Sequence, residues 1–253
     1  MSATAGARSD RGCLFCLKAD GGFTSEEHAI PESLGNSEFI LPRGIVCDLC
    51  NQRQLATLDQ RLLDLMPLKM RRTTLAIPNK DGKVPETKFQ DARLELVEGR
   101  PALTGPAPRT WKLEATHPSD PRWSVGTATL TGGRPLQGRY AAEISRALLK
   151  VGFEAAWTTL ADRLMEEDFD DLRTLILGER SQPGYIFMVT KYLDQGQGGR
   201  DHDIRFTVRI NPENGRADLY VAAKMLGVYM VTDSFRVTPP PHLTPELGYT
   251  ASF

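Results

Sequence analysis

Cys13-Leu14-Phe15-Cys16, then Glu27-His28-Ala29-Ile30-Pro31-Glu32-Ser33-Leu34-Gly35, then Val46-Cys47-Asp48-Leu49-Cys50-Asn51 is the stretch on which the reading of this chain turns. Two Cys-x-x-Cys pairs hold all four cysteines of the 253 residues. Each pair sets two thiolates on one side of a tight turn, and two such turns facing each other form the tetrahedral sulfur cage that Zn²⁺ prefers. Cys13, Cys16, Cys47 and Cys50 are therefore expected to hold a structural Zn²⁺, with no thiol left for a disulfide. The interval between the pairs exceeds what a minimal zinc ribbon needs. The clip thus closes around a segment that contains His28.

Outward from the clip, Phe23 to Ile30 and Gly44 to Val46 read as short extended segments separated by turn-rich sequence from Pro31 to Pro42. After Asn51, Leu55, Leu58, Leu62 and Leu65 recur at helical spacing, which predicts an amphipathic helix that Pro67 ends. The result is a ββα element stapled by zinc, assigned to residues 13–72. Residues 1–12 read as a disordered tail. Residues 73–138 are rich in Pro, Gly and Thr, with alternating runs at Arg93–Val97 and Ser124–Leu130. From Tyr140 the period turns helical, with Ala141, Ile144, Leu148, Val151 and Ala155 on one face, and a shorter helix follows around Phe169–Ile176. Strand-like runs come next at Tyr185–Tyr192, Ile204–Ile210, Ala217–Ala223 and Gly227–Thr232, with a hairpin turn at Asn211–Gly215. Pro239-Pro240-Pro241 reads as an exposed tail. The expected fold class is α+β: the zinc-stapled ββα module followed, at 73–253, by an α+β domain with an antiparallel sheet.

Composition narrows the function. With 40% hydrophobic and 25% charged residues the chain can bury a core, and it has no apolar run of about 18 residues to span a membrane. Its start has no signal-peptide apolar region, so the expected location is cytoplasmic, where metal-held thiols stay reduced. A net charge of −1 argues against coating nucleic acid by bulk electrostatics. Any polyanion contact is local. Between Arg43 and Arg72 the basic residues Arg43, Arg53, Arg61, Lys69, Arg71 and Arg72 outnumber Asp48, Asp59 and Asp64.

If the ββα reading holds, zinc fixes a frame in which Glu27 on the first strand and Asn51 on the helix converge. Oxygen donors of that kind suit Mg²⁺ or another hard divalent ion, not a second zinc. A neutral imidazole at His28 has the basicity to take a proton from water near neutral pH. The chemistry implied is metal-assisted hydrolysis of a phosphodiester.

These residues, in this order, resemble the HNH endonucleases, also called ββα-metal nucleases, of the branch carrying a four-cysteine zinc site. The resemblance implies a hydrolase acting on DNA in which His28 is the general base while Glu27 and Asn51 hold a catalytic Mg²⁺ or Mn²⁺. It implies further that residues 73–253 serve targeting, regulation or dimerisation, through a homodimer or a protein partner, in a setting such as phage (antiviral) defence or a mobile element. One departure stands out. The family carries an asparagine shortly before the second cysteine pair that pins the loop orienting the histidine, and Leu41–Val46 has none. Either Asn36 substitutes from farther away, or Arg43 faces the scissile phosphate.

Rival readings attach to the same residues. Asn51 also suits a helix N-cap. Arg43 and Arg53 are candidate phosphate contacts, yet arginines in such positions are commonly solvated. His117, His202 and His242, beside Pro or Asp in loops, receive no role. The alternative to catalysis is a zinc-dependent nucleic-acid-binding module in which Glu27, His28 and Asn51 are incidental.

Overall fold

The computed structural model describes residues 12–89, 92–98, 100–104, 112–115, 126–129, 138–180, 187–189 and 202–234. Residues 1–11 of the expected N-terminal tail, the Pro239–Pro241 tail, His117 and His242 lie outside the described residues. Strand β1 (Glu27–His28) pairs antiparallel with β2 (Ile40–Leu41), Glu27 facing Leu41 and His28 facing Ile40. The first extended segment is thus found, but the second is not at Gly44–Val46. Gly44 turns the chain with φ 98°, and the carbonyl of Ile45 accepts from the Leu14 amide at 2.9 Å, closing the cysteine knuckle instead of a sheet.

Helix α1 (Asp48–Cys50) is capped by Cys47, whose sulfur accepts from the Cys50 amide, so the N-cap role weighed for Asn51 falls to a cysteine. A π-helical turn spans Asn51–Leu55, and α2 (Ala56–Asp64) continues it with Leu55, Leu58 and Leu62 buried. Leu65 is extended (ψ 118°), and Pro67 lies in the first turn of a new helix, α3 (Met66–Thr74). Proline starts a helix here instead of ending one, because its missing N–H is an orphan in a first turn anyway.

The remainder is α+β. Strands β3 (Thr87–Phe89), β4 (Ala92–Val97) and β5 (Arg100–Thr104) form a small antiparallel sheet. The larger sheet has six antiparallel strands, β6 (Lys112–Ala115), β7 (Gly126–Thr129), β8 (Phe187–Val189), β9 (His202–Ile210), β10 (Ala217–Met225) and β11 (Val228–Asp233), in the order β6-β7-β8-β11-β10-β9. Strand β10 alternates buried and half-buried residues, and its buried face, Ala217, Leu219, Val221, Ala223 and Met225, meets α4 (Gly138–Leu160). Gly152 permits the approach: a Cβ there would run into Val221. Helix α5 (Asp170–Leu177) stops at Gly178 with φ 81°, and Arg146 of α4 caps its Ile176 carbonyl at 2.7 Å.

The expected apolar face of α4 is half the story. Ile144, Leu148, Val151 and Ala155 are buried, but so are Ala147, Leu149, Phe153 and Ala156, since α4 lies between the sheet and the cysteine-bearing module. One apolar cluster runs from Leu14 and Phe15 through α2 and α4 to β10 without a break near residue 72. Phe15 packs on Phe153 at 5.6 Å between ring centroids, and Phe153 on Phe169 at 6.1 Å. Two buried arginines cross the same seam. Arg173 Nε donates to Leu14 O at 3.0 Å, and Arg71 Nε to Leu226 O at 2.8 Å, in a two-residue hairpin turn where Leu226 has φ 53°.

Candidate active site

Sulfur geometry comes first, because it fixes everything else. The Sγ atoms of Cys13, Cys16, Cys47 and Cys50 all lie within 4.8 Å of one another, and Cys16 and Cys47 are 3.7 Å apart. A tetrahedron with Zn–S of about 2.3 Å has edges of about 3.8 Å, so the cage fits zinc. Backbone amides of Phe15 and Cys47 donate to Cys13 Sγ at 3.4 and 3.3 Å. The hydrogen bond with Cys50, together with those amides, holds the Cys13 thiol down at about 5. Burial pushes Cys47 up to about 11, and Cys50 is pushed up further, first by its hydrogen bond to Cys13. Without a dication only part of the set ionises; a bound Zn²⁺ supplies the charge that lets four thiolates coexist.

Asp48, directly after Cys47, ties this cage to β1. Its carboxylate accepts from Ser25 N at 2.8 Å, Thr24 N at 3.0 Å and Thr24 Oγ1 at 2.9 Å. The Ser25 amide foremost holds its carboxyl below the usual range. The loop after β1 is pinned by Asn36, which is buried. Its Nδ2 donates to Ile30 O at 2.7 Å and Phe39 O at 3.2 Å, while Oδ1 accepts from the amides of Glu38 and Phe39 at 3.0 and 2.9 Å. Asn36 thus braces this loop from farther away than the family's asparagine. Arg43 is exposed and paired with Glu26 at 3.2 Å.

Asn51 reaches back across the frame. Its Nδ2 donates to Glu26 O at 3.0 Å, which brings the residue after the last cysteine beside the start of β1; among the described residues its Oδ1 takes no hydrogen bond. His28 is half-buried on β1, its Nδ1 enclosed with no hydrogen-bond partner. Glu27 departs from its neighbours. It is buried, and Oε1 lies 2.6 Å from Nζ of Lys150 in α4. Burial raises its carboxyl above the usual range and Lys150 opposes that. Among the described residues no hydrogen bond reaches its Oε2, and the ion pair with Lys150 is made by Oε1. Arg53 is exposed on the π turn. The structure therefore brings Asn51 to the strand of His28 and Glu27, and turns one oxygen of Glu27 inward.

Residues 13–66 match the family model described as HNH endonuclease. This segment is similar to the HNH endonucleases and is called the HNH domain below. No curated protein and no solved structure is similar enough to the chain to match. The HNH domain carries the four-cysteine metal site and implies a nucleic-acid substrate, and among the described residues no helix is long and apolar enough to cross a membrane.

Sequence reasoning missed the residues that brace the HNH domain from outside it or beside its ligands. Asp48 was read only as a charge between cysteines. Lys150 and Glu154 lay unread within α4, although a charged pair at i, i+4 embedded among Leu148, Leu149, Val151 and Phe153 is a signal that the face is buried against something polar.

Proposed function

We propose that the chain is a metal-dependent endonuclease that hydrolyses DNA phosphodiester bonds. The observation that carries this reading is the bridge from Asn51 to the Glu26 carbonyl, which joins the residue following the zinc ligands to the strand bearing His28 inside the HNH domain. In it, His28 takes a proton from the attacking water, and the enclosed Nδ1 leaves Nε2 as the working nitrogen. Asn51 Oδ1 and Glu27 Oε2 are the hard oxygen donors for Mg²⁺ or Mn²⁺, which when bound stabilises charge on the phosphate. Exposed Arg43 and Arg53 meet phosphates of the strand. Residues 73–253 select where or when the domain acts, alone, as a dimer or with a protein partner. A role in phage defence or a mobile element rests on the family resemblance.

The test compares the zinc-loaded protein with His28→Ala on supercoiled plasmid in Mg²⁺ or Mn²⁺. Wild type is expected to nick or linearise it, and the variant to lose activity by at least the ~10²–10⁴-fold of general-base catalysis. Equal cutting by the variant removes His28 from the chemistry. A second reading is favoured by the inward turn of Glu27: a zinc-dependent binding module without catalysis. Salt-sensitive DNA binding that ignores divalent ions, with no cleavage, would establish it.

A further inference from the structure

Lys150 lies in the middle of α4, fully buried, among apolar neighbours. Its Nζ lies 2.6 Å from Glu27 Oε1, 2.9 Å from Asp59 Oδ1 and 3.0 Å from His28 O. Glu154 Oε2 is at 3.3 Å, within ion-pair range but outside hydrogen-bond geometry. The ammonium donates to Asp59 Oδ1 and His28 O, and the Glu27 carboxylate is the nearest of the charges paired with it. Such a group is costly to bury, and a methionine would fill the stem's volume without that cost. Packing of α4 alone therefore gives no reason for a charge here. Its partners do: the nearest carboxylate and one of the two acceptors belong to the dipeptide Glu27-His28.

We infer that Lys150 is a positioning residue of the divalent-cation site, fixing the carboxylate of Glu27 and the peptide of His28 in one arrangement from a helix far along the chain. The inference rests on the nuclease reading of Glu27 and His28. Holding Oε1 on a fixed ammonium sets the side chain so that Oε2 is the oxygen left for a cation, and gives an enclosed carboxylate the opposite charge it needs. Holding the His28 carbonyl keeps the strand from shifting its imidazole relative to that oxygen. Zinc frames the site from the helix side; Lys150 sets it from α4. Asp59, partly open to solvent, completes the ammonium's shell.

The experiment titrates Mn²⁺ into zinc-loaded, full-length protein and follows free Mn²⁺ by EPR, with plasmid cleavage measured alongside. Lys150→Met is expected to weaken Mn²⁺ binding about 10–100-fold, the usual consequence of losing a partner that orients a ligand. The Mn²⁺ concentration for half-maximal cleavage should rise by a similar factor, with activity partly recovered at saturating metal. Because Lys150→Met leaves acids buried without a cation, Lys150→Met/Glu154→Gln, which removes one of those acids, is measured beside it, and zinc content and thermal unfolding establish which of the two is folded. A folded, zinc-replete variant that binds Mn²⁺ like wild type overturns the inference while leaving the nuclease reading intact. Wild-type protein that neither binds Mn²⁺ nor cuts overturns both.

Discussion

The four-sulfur clip and the Lys150 cluster both fix the two-residue strand β1, and they differ in where their parts lie along the chain and in the sign of their energetics. The clip draws on residues 13–50, two short motifs around one loop. The cluster joins Glu27 and Asp59 to Lys150 and Glu154 of α4. Metal binding by thiolates is itself folding energy, about 10–16 kcal/mol for structural zinc near pH 7. Burying an ammonium with carboxylates is near break-even against apolar packing, and its return is geometry. A strand this short has too few ladder hydrogen bonds to hold itself. It needs one brace for stability and another for alignment.

The sharpest way to break the comparison is at the clip. Cys47→Ser removes a ligand whose sulfur also caps α1, so the variant is expected to lose bound zinc by elemental analysis and to lose cooperative thermal unfolding. Chelation of wild type should reproduce this. Because Phe15 of the knuckle packs on Phe153 of α4, and Arg173 holds the Leu14 carbonyl, the loss should spread to the C-terminal core instead of staying local. A zinc-free Cys47→Ser protein that melts like wild type would show that the metal adds nothing to the fold.

That contrast also explains what could be read from the sequence. Cysteine spacing carries its chemistry in short-range order, so the metal cage, the strand with His28 and the position of Asn51 were legible, as was the α+β class with its antiparallel hairpins. The second strand was misplaced because Ile45 looks like a strand residue but spends its carbonyl on the knuckle. Pro67 was read as a stop when Leu65 had already broken the helix. The sequence places Glu27 beside His28 but does not show the Lys150 ammonium behind it, because what lies behind a side chain depends on which helix packs there. Nothing in residues 13–72 announces Lys150. The unbroken core likewise follows from tertiary contacts that no local pattern encodes.

A smaller effect sharpens the cluster's side of the comparison. Burial pushes the Glu154 carboxyl well above its usual range, against the attraction of Lys150. The native state then holds a proton that the unfolded chain releases above the ordinary glutamate value of about 4.3. More protons bound in the native state means that this group's contribution to stability falls as pH rises from there toward its own raised value. Glu154→Gln, which cannot ionise, should flatten that part of the profile. Urea denaturation at pH 5 and pH 8 should show the variant gaining on wild type at the higher pH by on the order of 1 kcal/mol. Parallel profiles would mean that Glu154 is ionised in the native protein and that the cluster carries a full excess of negative charge.

The weakest effect belongs to the pair most like the cluster in chemistry and least like it in setting. Arg43 and Glu26 meet at 3.2 Å, but with side chains 67% and 49% exposed. Such a pair contributes about 0.2–1 kcal/mol and is screened by salt. Arg43→Ala should therefore leave zinc content and melting unchanged within error. If Arg43 meets a phosphate as proposed, the slope of log affinity for DNA against log salt should shrink by about one. An unchanged slope removes Arg43 from the interface. The same two charge types thus serve opposite ends: buried around Lys150 they are committed to architecture, while at Arg43 the partner is held so loosely that a phosphate can replace it.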